Sequence, residues 1–114
     1  MARGLVFDIH KISLILPKFE IYETGSQIRR SSKSVKSNIV EGYGRRYYKN
    51  EYIKFIVYSL ASNDETIDHL ETLFKTDSLK DEKLYNDLHN RSEVLGKMIN
   101  NFLTSVINSH KSIK

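Results

Sequence analysis

The sequence predicts an all-α protein, an antiparallel up-down four-helix bundle, and three observations carry that expectation. Apolar residues recur at helical steps of three and four along nearly the whole chain, with no segment alternating at the period of two that a half-buried strand requires. The 114 residues contain one proline and five glycines, so the breaks are few and the segments between them long. A chain of this length suits a single domain, taken as residues 1–114, that buries roughly two-thirds of its unfolded surface in one core.

The first segment offers Leu5, Phe7, Ile9, Ile12, Leu14, Ile15 and Leu16. It is too short to hold a helix unaided, so its helicity depends on docking. Pro17, with no amide hydrogen and a ring that crowds the preceding turn, ends or kinks it. A second segment over about 19–42 has a leaner seam of Ile28, Ser31, Ser32, Val35 and Ile39. Serines fill little volume, so a neighbouring helix must come close there. Gly42 and Gly44 mark the next break and read as a left-handed stop.

The third segment, about 49–75, repeats Ile53, Ile56, Leu60, Ile67, Leu70 and Phe74, with Asn63 in the one polar gap. That heptad-like spacing belongs to helices packed at shallow angles. Thr76-Asp77-Ser78 breaks the chain again, and Asp77 or Ser78 can cap the next helix. The fourth segment, about 80–110, carries Leu84, Leu88, Leu95, Met98, Phe102 and Val106, with Tyr85, Ile99 and Leu103 beside them. Gly96 inside it costs about 1 kcal/mol against alanine, which points to a close helix contact.

Several classes of function are excluded or weakened at once. The chain has no cysteine, hence no disulfide, thiolate metal site or cysteine nucleophile. The N-terminal apolar runs are interrupted by Asp8, His10 and Lys11, which matches neither a signal peptide nor a membrane span; a soluble, cytoplasmic protein is expected. His10, His69, His89 and His110 are scattered, and Glu65 with His69 supplies only two ligands on one helix face. No serine stands in a nucleophile elbow. No enzyme, metal or cofactor is expected.

The charge is more informative. The net charge is +4, yet Arg29, Arg30, Lys33, Lys36, Arg45, Arg46 and Lys49 face a single acid, Glu41, between residues 29 and 49. That segment is +6 and the remainder −2, a concentration that raises the local potential toward a polyanion. At about 100° per residue, Arg29, Lys33 and Lys36 share a stripe with Arg30 beside it. Tyr43, Tyr47 and Tyr48 interleave with Arg45 and Arg46 in the following turn. Arginine grips phosphate and tyrosine stacks on unpaired bases, so RNA or DNA is the expected partner of Arg29, Arg30, Lys33, Lys36, Tyr43, Arg45, Arg46 and Tyr47. The competing reading is a protein-interaction scaffold whose basic segment forms a subunit or partner interface. Asn38, Glu41, Ser62 and Glu65, with Asn63, are expected to form a polar layer fixing helix register.

These residues also carry a family resemblance. Gln27-Ile28-Arg29-Arg30, followed by Ser37-Asn38-Ile39-Val40-Glu41-Gly42-Tyr43-Gly44-Arg45-Arg46, resembles the signature of bacterial four-helix proteins linked to intervening sequences of 23S ribosomal RNA genes. Those proteins carry Q-x-R-R, then S-x-x-S-N-I-A-E-G-x-G-R. Glu51-Tyr52-Ile53-Lys54-Phe55, Ser62-Asn63-Asp64-Glu65-Thr66 and Leu70-Glu71 match the third-helix pattern. The resemblance runs from about residue 17 onward. It implies an antiparallel bundle assembled as a homopentamer around a central channel. Relatives include the accessory variability proteins of diversity-generating retroelements, which look like basic pentamers that bind nucleic acid and partner with a reverse transcriptase. The family motif falls here on Arg29, Arg30, Asn38, Glu41, Gly42, Gly44 and Arg45. Val40 departs from the usual alanine, and the first helix is shorter than usual.

Overall fold

A computed structural model describes residues 2–109, with side chains from residue 4. Five helices follow one another: α1 (Ala2–Leu14), a single turn α2 (Lys18–Ile21), α3 (Thr24–Gly44), α4 (Lys49–Lys75) and α5 (Glu82–Ser109). The long four, α1, α3, α4 and α5, form an antiparallel up-down bundle in which α1 lies between α3 and α5. The body is 51 Å long and about 20 Å across. His110 lies outside the described residues.

The breaks are made as the chain chemistry demands, though not always by the expected residue. Pro17 precedes the first residue of α2, where its missing N–H is not needed. The chain then enters α3 at Thr24, whose amide donates to the Glu20 carboxylate at 3.1 Å. At the end of α3 no glycine takes a left-handed conformation. Gly42 is instead helical and buried, and a Cβ there would lie 3.1 Å from the Cβ of Phe55. It serves close approach of α3 and α4, which corrects the expected left-handed stop. The left-handed residue is Asp77, with φ of 61°, at the end of α4. There the amides of Ser78 and Leu79 both reach back to the Leu73 carbonyl at 3.0 Å. The cap of α5 is neither Asp77 nor Ser78 but Asp81, whose carboxylate accepts from the Leu84 amide at 3.1 Å.

Four-and-three spacing sets the core. On α1 and the bend that follows it, Leu5, Ile9, Ile12 and Leu16 turn inward while Phe7, Leu14 and Ile15 stay outside. On α4 the inward row is Tyr52, Ile56, Ser59, Asn63, Thr66, Leu70 and Leu73. Of the expected row, Ile56, Asn63 and Leu70 belong to this seam, while Ile53, Leu60, Ile67 and Phe74 lie one position to the side, on its flank. The sequence hid the rest of the row because Tyr52, Ser59 and Thr66 carry a phenol or a hydroxyl.

Small polar residues occupy the middle of the bundle, and each is satisfied. Ser31 and Thr66 hydroxyls meet at 2.8 Å, and Ser59 donates to the Val35 carbonyl at 2.7 Å. These short contacts confirm that α3 and α4 approach closely at the serines. The Asn63 amide donates to the Ser92 carbonyl at 2.9 Å, and a Cβ on Gly96 would stand 3.0 Å from that amide nitrogen. Gly96 is the close contact the sequence indicated. Gly25 is a second one that the sequence did not reveal: a Cβ there would lie 2.7 Å from the Glu20 carbonyl oxygen.

The first helix is tied to the last by an ion pair. Asp8 of α1 pairs with Arg91 of α5 at 2.7 Å, and Gly4 stands beside the same guanidinium. Met98 and Phe102 of α5, expected in the core, are 52% and 47% exposed, and Ile39 of α3 is 37% exposed.

Candidate nucleic-acid interface

The basic segment of α3 divides into two kinds of residue. Arg29 turns inward, toward the junction of α1 and α2. Its guanidinium donates to the Ser13 hydroxyl at 3.0 Å, the Ser13 carbonyl at 3.4 Å and the Ile21 carbonyl at 2.8 Å. Those carbonyls belong to helix ends and have no intrahelical partner, so Arg29 acts as their cap. This corrects its expected place on the phosphate-facing stripe.

Arg30, Lys33 and Lys36 remain on the outer side of α3. Among the described residues none of the three makes an ion pair within the 4.0 Å that defines one. Lys33 and Lys36 line a shallow depression along the α1–α3 seam. It holds about 660 Å³ toward Phe7 and His10, and about 580 Å³ toward Val40 and Glu41. Two ammonium groups one helical turn apart over an open groove suit a backbone of repeating phosphates.

The turn after α3 carries the aromatic part. The Arg46 guanidinium lies 4.2 Å from the Tyr43 ring centroid and 4.5 Å from that of Tyr47, and donates to the Tyr43 carbonyl and the Tyr47 hydroxyl. Its charge stays at the surface while two rings fix its plane. Rings and guanidinium together present flat faces on which a base can stack. Tyr48 is exposed beside them. Tyr52 lies beneath, and burial together with nearby Tyr43 holds its phenol above the usual 10.0, with Arg46 pulling the other way.

Arg45 faces elsewhere. It pairs with Glu41 one turn back and stacks on Phe55 of α4 at 4.6 Å. The structure thus brings Arg30, Lys33, Lys36, Arg46, Tyr43 and Tyr47 to the surface and assigns Arg29 and Arg45 to contacts within the fold.

The expected polar layer is also redrawn. Asn38 donates to the Ser34 carbonyl and hydroxyl at 2.9 and 3.0 Å, and Ser62 donates to the same hydroxyl at 3.0 Å. Asn38 and Ser62 are therefore linked through Ser34. Glu41 and Glu65 are not part of the layer: both are exposed, Glu41 paired with Arg45 and Glu65 with His69 at 3.5 Å. An acid on the outer face of a helix has no reason to turn in when hydroxyls already fill the seam.

Among the described residues no group of three histidine or carboxylate side chains is placed to hold a metal. No described helix is long and apolar enough to cross a membrane.

The comparisons with known proteins agree with the fold. The family model described as 23S rRNA-intervening sequence protein matches residues 1–101. No curated protein matches the sequence. Among solved structures, the chain is similar to a crystal structure, at 1.70 Å resolution, of a protein of unknown function from the S23 ribosomal protein family of Bacteroides thetaiotaomicron. The two share 23% identity with a TM-score of 0.73, over 95% of each chain. At that identity the likeness is one of fold.

Proposed function

We propose, since the chain belongs to the 23S rRNA-intervening sequence protein family, that it is a non-enzymatic homo-oligomer that binds RNA or DNA through backbone charge. The observation that carries this reading is the Arg46 guanidinium held between Tyr43 and Tyr47, at the end of a helix face bearing Arg30, Lys33 and Lys36. The lysines neutralise phosphates and the tyrosine–arginine stack takes an unpaired base. Assembly, as the homopentamer the family resemblance implies, is supported by apolar side chains left outside at the α1–α2 end: Leu14, Ile15, Phe19 and Tyr22.

The test is binding to a labelled structured RNA and to a matched DNA across a salt series, with the mass of the free protein measured by sedimentation. Affinity that falls linearly with log salt supports the reading, and the slope counts the phosphates neutralised. Absence of binding at low salt would turn the basic face into a protein interface, the scaffold reading, with a reverse transcriptase or another protein as its partner.

A further inference from the structure

Arg30 and Lys33 are one turn apart on α3 and open onto different seams. Lys33 lines the α1–α3 depression, whereas Arg30 lines a smaller cavity between α3 and α4. That cavity holds about 200 Å³, below the roughly 300–1,000 Å³ of sites for drug-sized ligands. Its walls are Gln27, Arg30, Ser31 and Ser34 of α3 and Glu65 of α4. It lies beside the Ser31–Thr66 and Ser34–Ser62 contacts, at the closest approach of the two helices.

The polar groups around it have capacity to spare. Arg30 and Glu65 carry opposite charges across the cavity, yet they form no ion pair with each other within 4.0 Å. Glu65 is exposed and reaches His69 at 3.5 Å, which leaves most of its acceptor sites open. The Ser34 hydroxyl accepts from both Asn38 and Ser62, and its own hydrogen has no acceptor among the described residues. Donors on α3 therefore face an acceptor on α4 across a space large enough to keep them apart.

A ligand matched to that space is flat, with acceptors on one edge and donors on the next. Guanine alone of the common bases has this pattern: O6 and N7 accept, and N1–H and the N2 amino group donate. Gln27 by itself would also suit adenine, but the Glu65 carboxylate would then meet the lone pair of adenine N1. Cytosine offers one amino group, and uracil a single N–H between two carbonyls.

We propose that the cavity takes one unpaired guanine of a bound single strand, with Arg30 forked onto O6 and N7 and Glu65 accepting from N1 and N2. The inference rests on the nucleic-acid reading and adds a base preference to it. Arg30 then reads a base, while Lys33 and Lys36 neutralise phosphates.

The test uses the full chain and labelled oligouridylates of about ten nucleotides, either unbroken or with one central guanosine, adenosine or inosine. Fluorescence anisotropy is expected to show the guanosine strand binding at least about tenfold more tightly than the adenosine strand. Inosine, which lacks the N2 amino group, should fall between them. Glu65→Gln keeps the shape of the side chain and removes one acceptor, and should bring guanosine and adenosine within about threefold. Arg30→Lys keeps the charge a phosphate needs and loses the fork, and should cut the guanosine preference at least about fivefold. Equal binding of all four strands overturns the inference and leaves backbone binding standing. A guanosine preference untouched by both substitutions overturns it as well, because the base would then be read elsewhere. Binding of none of the strands overturns this inference and the nucleic-acid reading together.

Discussion

The amide nitrogen of Asn63 sits 2.9 Å from the Ser92 carbonyl oxygen, in space that exists because Gly96 has no side chain. Asn63 is 1% exposed, so the bond is made away from water, where a lost partner is costly. Asn63→Ala is expected to destabilise the protein by about 1–3 kcal/mol. Gly96→Ala should also destabilise, by about 1 kcal/mol net, although alanine is the better helix former. Urea unfolding followed by circular dichroism checks both; a more stable Gly96→Ala protein would show that Asn63 can shift aside.

Arg29 and Arg30 are neighbours in sequence with different work to do. Arg29→Ala removes three donors to the α1–α2 junction and should cost about 1–3 kcal/mol. Arg30→Ala should leave stability within about 0.5 kcal/mol. Thermal melts of the two variants decide it, and the reverse order would return Arg29 to the surface.

Lys33 and Lys36 are the residues whose removal should change salt dependence. The double variant Lys33→Ala/Lys36→Ala is expected to lower the slope of log affinity against log salt by about 2 for duplex DNA, without loss of stability. Arg46→Ala should weaken binding to single-stranded loops more than to duplex, because it dismantles the stack with Tyr43 and Tyr47. Equal losses on both substrates would speak against stacking.

Glu20 gives the fold an acid limb. Burial pushes its carboxyl up, but hydrogen bonds from Thr24 and from the Ser78 hydroxyl at 2.9 Å outweigh this and leave it below the ordinary value of 4.5. A carboxyl lowered in the folded state contributes stability that is full above the unfolded value and lost as pH falls through the folded one. Stability should therefore begin to fall below about pH 5 and continue downward. Glu20→Gln and Ser78→Ala should flatten that part of the pH profile, measured by urea midpoints from pH 6 to acid; an unchanged profile would remove Glu20 as its source.

Much of the architecture was legible in the sequence, because three-and-four spacing survives in Ile56, Leu70, Leu88, Leu95 and Val106, all buried as expected. The inward row of α4 was read only in part, at Ile56, Asn63 and Leu70, because Tyr52, Ser59 and Thr66 score as polar while the flanking isoleucines and leucine score as core. Met98 and Phe102 were placed inside because they continue the three-and-four spacing of Leu88 and Leu95, and spacing alone does not reveal that both are half exposed. The basic face was legible as charge but not as geometry. Nothing in Gln-Ile-Arg-Arg tells that the first arginine caps a helix junction while the second faces outward. Gly25 was missed because a single glycine near a helix start resembles ordinary punctuation.

The pairing of Asp8 with Arg91 has a kinetic meaning. These residues are 83 positions apart, whereas the α1–α3, α3–α4 and α4–α5 contacts join helices that follow one another in the chain. Those three pairs can form as successive hairpins at little loop-closure cost, before the first and last helices meet. Closure of α1 on α5 should be the last event of folding and its opening the first of unfolding. Amide protons of α1 should then exchange through a smaller opening than those around Asn63.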